Sequence, residues 1–323
     1  MRLGECIQTN TSESSVKEVI RSGGSITQGN YLGVGNLIDN ISQDSSYFYS
    51  QEKTFFTVYL VKSAPGNFDR RITIRATWGK YRSIFNKKLI LVVFMIGFHP
   101  SDDGINRTVR IESKCYNDIL RSNVMDTFGN LTQKSLSTFE WITLKMKQKA
   151  RFFIVTDDNC VIDIMATTNF LSHYLSPGAE TISTMYCGFM FERLSGVIRG
   201  NGKLSLTRGM YSESILPSFC RGAMVILTYP MVNDLQLIAK STNCTDFPLE
   251  DIMIYGILRA KLGTDNIQPV INGGIPLVYY PWDDTDNATT LMKLKWRTLV
   301  TKLDTVATTV RRREKCHKRF VGI

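Results

Sequence analysis

Three apolar runs constrain this chain more than any other feature: Thr54–Lys62 (TFFTVYLVK), Lys88–Gly97 (KLILVVFMIG) and Arg151–Thr156 (RFFIVT). Each is nearly continuous rather than alternating. That pattern belongs to strands covered on both faces, and it argues for the interior of a parallel sheet. The stretches between them carry helical spacing. A helix is expected over Arg70–Trp78, others over 108–122 and 131–149, where Leu136, Phe139, Ile142 and Leu144 recur near helical intervals, and another from about Asp163 to Leu175. Strands alternating with helices predict an α/β fold, with a mostly parallel central sheet flanked by helices. The second half is less regular, with loop signals at Ser176–Gly178, Gly200–Gly202 and Ser241–Pro248. The simplest partition is a polar, glycine-punctuated stem over residues 1–50, a catalytic domain over 51–285 and a basic tail over 286–323.

The formal charge of +10 invites a nucleic-acid reading. Its distribution argues against one, because ten Lys and Arg against Asp304 and Glu314 fall between Lys293 and Arg319, and the rest of the chain is nearly balanced. A docking surface for nucleic acid spreads its cations among aromatics; a solvated tail does not. No nucleic-acid partner is expected. The seven cysteines include no C-x-x-C pair, and the three histidines (His99, His173, His317) have no metal-ligand spacing. Asn10, Asn40, Asn106, Asn130, Asn243 and Asn287 each head an N-x-S/T triplet, which favours a secretory lumen. No apolar run approaches the ~20 residues that span a bilayer, so any membrane anchor is expected to lie outside this chain.

Chemistry is suggested where the third apolar run ends in Asp157-Asp158-Asn159. In open α/β sheets ligands bind beyond the carboxyl ends of the strands. Carboxylates placed there can hold a divalent cation against a diphosphate; they can equally cap the helix that follows. A second acidic pair, Glu250-Asp251, precedes the apolar stretch Ile252–Leu262. One of the two could serve as a general base, or both could complement a helix N-terminus; the spacing does not choose. Trp78 reads as core packing or a border of the site. Tyr279, Tyr280 and Trp282 read as a packed loop or a platform for a sugar face.

Several segments together resemble the beta-1,3-galactosyltransferase family, which is related to Fringe. Arg70 to Gly79 (RRITIRATWG) resembles its R-x-A-I-R-x-T-W-G. Glu112, Tyr116, Asp118 and Ile119 resemble E-x-x-x-Y-x-D-I, and Asp126, Phe128, Asn130, Leu131, Thr132 and Lys134 resemble D-x-Y-x-N-L-T-x-K. Trp141 falls where the family has its Trp before the metal-binding strand; Pro217, Phe219, Cys220 and Gly222 resemble P-x-Y-C-x-G; Glu250-Asp251-Ile252 with Gly256 resembles E-D-V-x-x-G.

The resemblance implies a glycosyltransferase A fold and inverting transfer of galactose or an N-acetylhexosamine from a UDP-sugar donor to a glycan acceptor on protein or lipid. It also implies a Golgi membrane setting and a Mn2+ cofactor. By the same resemblance Asp251 is the general base, Asp157 and Asp158 lie by the donor's ribose and diphosphate, and Asn159 with Asp158 takes the metal-ligand position. Arg75 and Lys134 fall on the nucleotide-sugar side, with a structural lysine as the alternative for Lys134. Cys220 resembles a disulfide cysteine of the family, its partner open. Two departures favour a catalytically weakened member that only binds glycan or nucleotide-sugar: the amide at Asn159 and the lack of a histidine after Asp251 other than His317.

Overall fold

The computed structural model describes residues 54–84, 88–191, 196–245, 247–263, 267–270, 277–280 and 287–301. The stem, Trp282 and the residues beyond 301 therefore lie outside the described residues.

The three apolar runs form the middle of one sheet. β1 (Phe55–Lys62) lies between β3 (Lys88–Phe98) and β5 (Ala150–Asp157), parallel to both. Every residue of β1 is buried, as a strand covered on both faces requires. The register sets Lys62 beside Asp157, so the two residues that close these strands emerge together at the carboxyl edge.

The sheet extends through β4 (Ile119–Met125), parallel to β3, and on the other side through β10 (Met224–Thr228), β7 (Met185–Cys187) and β11 (Ile267–Pro269). β10 runs antiparallel to both β5 and β7, so the sheet is mixed, its parallel half being the one visible in the apolar runs. Short β2 (Ser83–Ile84) pairs with the start of β3. β6 (Val161–Ile162) pairs with β12 (Val278–Tyr279), and β8 (Met190–Phe191) pairs with β9 (Phe219–Cys220).

Alternate strand residues feed two apolar layers. On one face Val58, Leu60, Val93 and Phe153 meet α3 (Leu131–Lys145), α5 (Tyr229–Lys240) and the π-helical segment Asp251–Leu258. On the other, Tyr59, Val61, Val92 and Ile154 meet α1 (Phe68–Ala76), the 3-10 turn Trp78–Lys80 and α4 (Ile164–Asn169). Trp78 is fully buried, with its ring 5.7 Å from Tyr59 and its indole N–H on the Cys160 carbonyl at 3.0 Å. It is core.

Three expectations need correction. The helix expected over 108–122 is α2 (Asp103–Tyr116), which ends where Asn117 takes a left-handed backbone (φ 51°), and β4 follows. β4 is an edge strand with several half-buried polar residues, so it lacks the apolar signature of β1 and β3. The second half also holds a strand and helix, β10 and α5, joined at Thr228, whose hydroxyl accepts from the Met231 amide while Pro230 sits in the first turn. Finally, the basic tail expected from residue 286 is not simply solvated. Residues 288–301 form a helix, α6, and Met292, Trp296 and Leu299 bury a helically spaced stripe in the second apolar layer. Its lysines occupy the other side, which is why the charge run hid the stripe.

Candidate functional site

Lys62 stands at the centre of the carboxyl edge. It is buried, and its Nζ lies 2.6 Å from Glu250 Oε2, 3.2 Å from Asp157 Oδ1 and 4.0 Å from Asp251 Oδ1. The two acidic segments, 94 residues apart from Asp157 to Asp251 in the numbering, thus share one cation. Burial alone would lower the Lys62 pKa, but Asp157, Glu250 and Asp251 overcome it and raise the pKa well above the ordinary value.

Geometry separates the two acids that the sequence left equivalent. Both Glu250 oxygens are taken, Oε2 by Lys62 and Oε1 by the Ser135 hydroxyl at 2.6 Å, and its side chain is 3% exposed. Asp251 is 30% exposed and lines a cavity of about 510 Å3. Burial, followed by the Glu250 and Asp157 charges against the opposing pull of Lys62 and the Gly222 amide, raises its pKa to about 7. A carboxyl poised there is suited to removing a proton near neutrality. Asp251 is therefore the carboxyl left open to the cavity, and Glu250 holds the lysine.

The acidic loop after β5 divides its residues. Asp157 joins the Lys62 cluster, with its pKa raised by burial against the pull of Lys62. Asp158 turns to α1, where Arg70 and Asn67 donate to its two oxygens at 3.1 and 2.9 Å. Asn159 lines a second cavity of about 500 Å3, with Val161, Tyr279, Tyr280, Met292 and Lys295. Tyr280 borders both cavities and lies under the Arg221 guanidinium, 4.8 Å from ring centroid to Cζ.

The expected divalent cation would need oxygen donors free of other partners. Asp158 is already engaged by Arg70 and Asn67, Asp157 by Lys62, and Asn159 offers a neutral amide oxygen that accepts from the Cys160 thiol at 3.7 Å. Among the described residues no group of three His, Cys, Asp or Glu side chains is placed to share an ion. These residues do not fit a site in which protein side chains alone hold the metal.

Arg75 and Lys134 lie elsewhere than a nucleotide-sugar role implies. Arg75 bonds Asp118 (2.7 and 2.8 Å) and Glu112 (2.7 Å) and stacks on the Tyr116 ring. Lys134 is buried, with Nζ on both Asp126 oxygens and the Ser63 carbonyl. Arg71, fully buried, pairs with Glu112 and donates to Ser63 Oγ and to the carbonyls of Ala64 and Pro65. These cations brace the loop that follows Lys62.

Lys62 itself and Arg221 were missed in the sequence, and Gly222 was noted only as part of a motif. A lysine closing an otherwise apolar strand, on the edge where Asp157 closes its neighbour, was the available signal for the first. Gly222 packs so tightly on Lys62 and Asp251 that a Cβ there would collide with both. The Cys187–Cys220 disulfide ties β7 to β9 immediately before it. Cys160 and Cys244 are buried free thiols.

The Asp251 carboxyl thus borders a cavity at the carboxyl edge of a mixed α/β sheet. The chain belongs to the galactosyltransferase family, whose sequence profile matches residues 69–270. It is 27% identical over 230 residues to a Danio rerio protein named lactosylceramide 1,3-N-acetyl-beta-D-glucosaminyltransferase A, covering 69% of this chain and 59% of that one. It is 29% identical over 221 residues to mouse beta-1,3-galactosyltransferase 1, covering 68% and 63%. The matched region therefore spans about three fifths of these relatives. Among solved structures, the Streptococcus pneumoniae TIGR4 glycosyltransferase GlyE aligns at a TM-score of 0.37 and 8% identity over 79% of this chain and 64% of that one, a likeness too slight to bear on function.

Proposed function

We propose that the protein transfers galactose or an N-acetylhexosamine from a UDP-sugar to a glycan hydroxyl, with inversion and a β-1,3 linkage. The reading is supported above all by Asp251, which combines a free face on the cavity with a pKa near 7. The acceptor occupies the Asp251 cavity, and the donor approaches from the Asn159 side, the two meeting by Tyr280. Asp251 takes the proton of the acceptor hydroxyl as that oxygen bonds the anomeric carbon; the bond from that carbon to the UDP oxygen breaks, and UDP leaves with the electron pair. Attack opposite the leaving group inverts the centre in one displacement. Lys62 holds Glu250 and Asp157 and keeps Asp251 ionisable near neutrality. Mn2+, in this reading, binds only together with the donor's phosphates, because the side chains do not form a cage. No step above is routed through it.

The setting proposed is the Golgi lumen. The Cys187–Cys220 disulfide and the N-x-S/T triplets support an oxidising, glycosylating compartment. No helix among the described residues is long and apolar enough to cross a membrane.

The test is UDP release from a panel of UDP-sugars by purified protein, with and without manganese, beside Asp251→Asn. Turnover of one donor that Asp251→Asn abolishes is expected. Binding of UDP with no turnover of any donor would instead identify a non-catalytic member, the reading that the amide at Asn159 favours.

A further inference from the structure

The loop from which Mn2+ binding is expected already carries its own counter-charges. Asp157 lies 3.2 Å from the Lys62 Nζ and Asp158 lies 3.1 Å from Arg70, while Asn159 has a neutral amide. A divalent ion bridges two sets of negative oxygens, those of the protein and those of a diphosphate. Here an ion would have to displace Lys62 or Arg70 to reach the protein's set. A UDP-sugar bound at this edge would still need positive charge, but only for its own leaving diphosphate.

Among the described residues three cations line the two cavities: Lys62 and Arg221 the one that Asp251 borders, and Lys295 the other. Lys62 is engaged by Glu250 and Asp157. Lys295 lies over the Tyr279 ring, 3.8 Å from the centroid. Arg221 packs on Tyr280, which borders both cavities, and the two side chains also share a hydrogen bond. Its backbone is fixed. The Arg221 amide donates to the Phe189 carbonyl at 2.9 Å, the Cys187–Cys220 disulfide precedes it, and Gly222, whose amide reaches Asp251, follows. One turn therefore presents a guanidinium and supports the carboxyl proposed as the base. A guanidinium matches phosphate with a planar fork of N–H donors, and a group held in place beforehand needs no reorganisation as charge develops.

We propose that Arg221 binds the donor's diphosphate in place of a metal ion, so that transfer proceeds without Mn2+. This deepens the function proposed above and rests on it for the UDP-sugar donor. As the bond from the anomeric carbon to the diphosphate oxygen breaks, the electron pair stays on UDP, and the guanidinium offsets that charge. The only proton that moves is the acceptor hydroxyl's, which goes to Asp251. Mn2+ that arrives on the phosphates is then dispensable. The amide at Asn159 belongs to the same arrangement, since a site without a metal has no use for a third carboxylate facing a diphosphate.

The experiment is calorimetric binding of UDP and of uridine to the whole protein, first in EDTA and then with Mn2+. In EDTA, UDP is expected to bind roughly tenfold or more tightly than uridine, and Mn2+ should change the UDP affinity less than about threefold. Arg221→Gln, with its melting temperature checked, should bring UDP down to the level of uridine and leave uridine unchanged; Arg221→Lys should recover part of the difference. Four results overturn the proposal: UDP no tighter than uridine in EDTA, a larger gain on adding Mn2+, a difference that survives Arg221→Gln, or binding of neither compound. Loss of uridine affinity in Arg221→Gln also overturns it, because the arginine would then only shape the pocket. Binding needs no turnover, so the two readings fail separately. UDP release seen with Mn2+ and abolished by EDTA would leave the transferase standing and remove this inference, whereas a UDP preference without turnover of any donor would do the reverse for the phosphate site.

Discussion

Two buried ionic clusters lie on either side of the loop after β1, and they differ in balance. In one, Arg71 and Arg75 face Glu112 and Asp118, two cations against two anions, with Arg71 on Glu112 and Arg75 on both acids at 2.7–3.2 Å. In the other, Lys62 alone faces Asp157, Glu250 and Asp251. A balanced cluster with every oxygen engaged is a brace: it holds one backbone arrangement. An unbalanced one leaves an acid short of a partner, with its pKa pushed toward the working pH. The same chemistry of burial thus builds scaffold in one place and reactivity in the other.

The sharpest break of that contrast is Asp251→Asn. On the role proposed for Asp251, its replacement should lower kcat by roughly 10²–10⁴-fold, while circular dichroism stays close to wild type. Next in size is Arg71→Met in the balanced cluster. It leaves the buried Glu112 with Arg75 as its remaining cation and should cost about 3 kcal/mol of stability by denaturant unfolding; the activity of the molecules that remain folded should persist.

Two further effects turn on proton linkage. The wild-type pH profile of kcat/KM should rise through about pH 7, the Asp251 value, and level off above it, since the ionised form is the base. Lys62→Met removes the group that pulls the Asp251 pKa down, so the rising limb should move upward by about one pH unit or more; no movement would detach Lys62 from the base. The smallest effect is on stability. Because folding raises the Asp251 pKa, its contribution is best at low pH and is lost as pH climbs from the unfolded carboxyl value, about 4, to about 7. Asp251→Asn should therefore melt higher than wild type at pH 7 and above, and no higher below about pH 4.

How much of this was visible beforehand follows from where the signals lay. The parallel half of the sheet was legible because β1, β3 and β5 are apolar throughout. β4 was hidden because edge strands keep polar residues, and α6 because its buried stripe is interleaved with lysines. At the site, the strand-end acids and Asp251 were legible as chemistry. The resemblance picked Asp251 over Glu250, but the physical reason was not legible, since it depends on Ser135 and Lys62, residues brought alongside only by folding. Arg75 and Lys134 show the converse: both sit in motif segments, yet the structure spends them on bracing.

Gly222 carries a consequence for how this sequence can vary. Its missing side chain is what lets the turn after the disulfide close on Lys62 and Asp251 at once, with its amide directed to the base. Even alanine there would force the Lys62 Nζ and Asp251 Oδ1 ends to shift. A comprehensive substitution screen should find position 222 intolerant of every replacement while the protein still folds, marking a position where shape alone, with no functional group at all, decides whether the chain turns over.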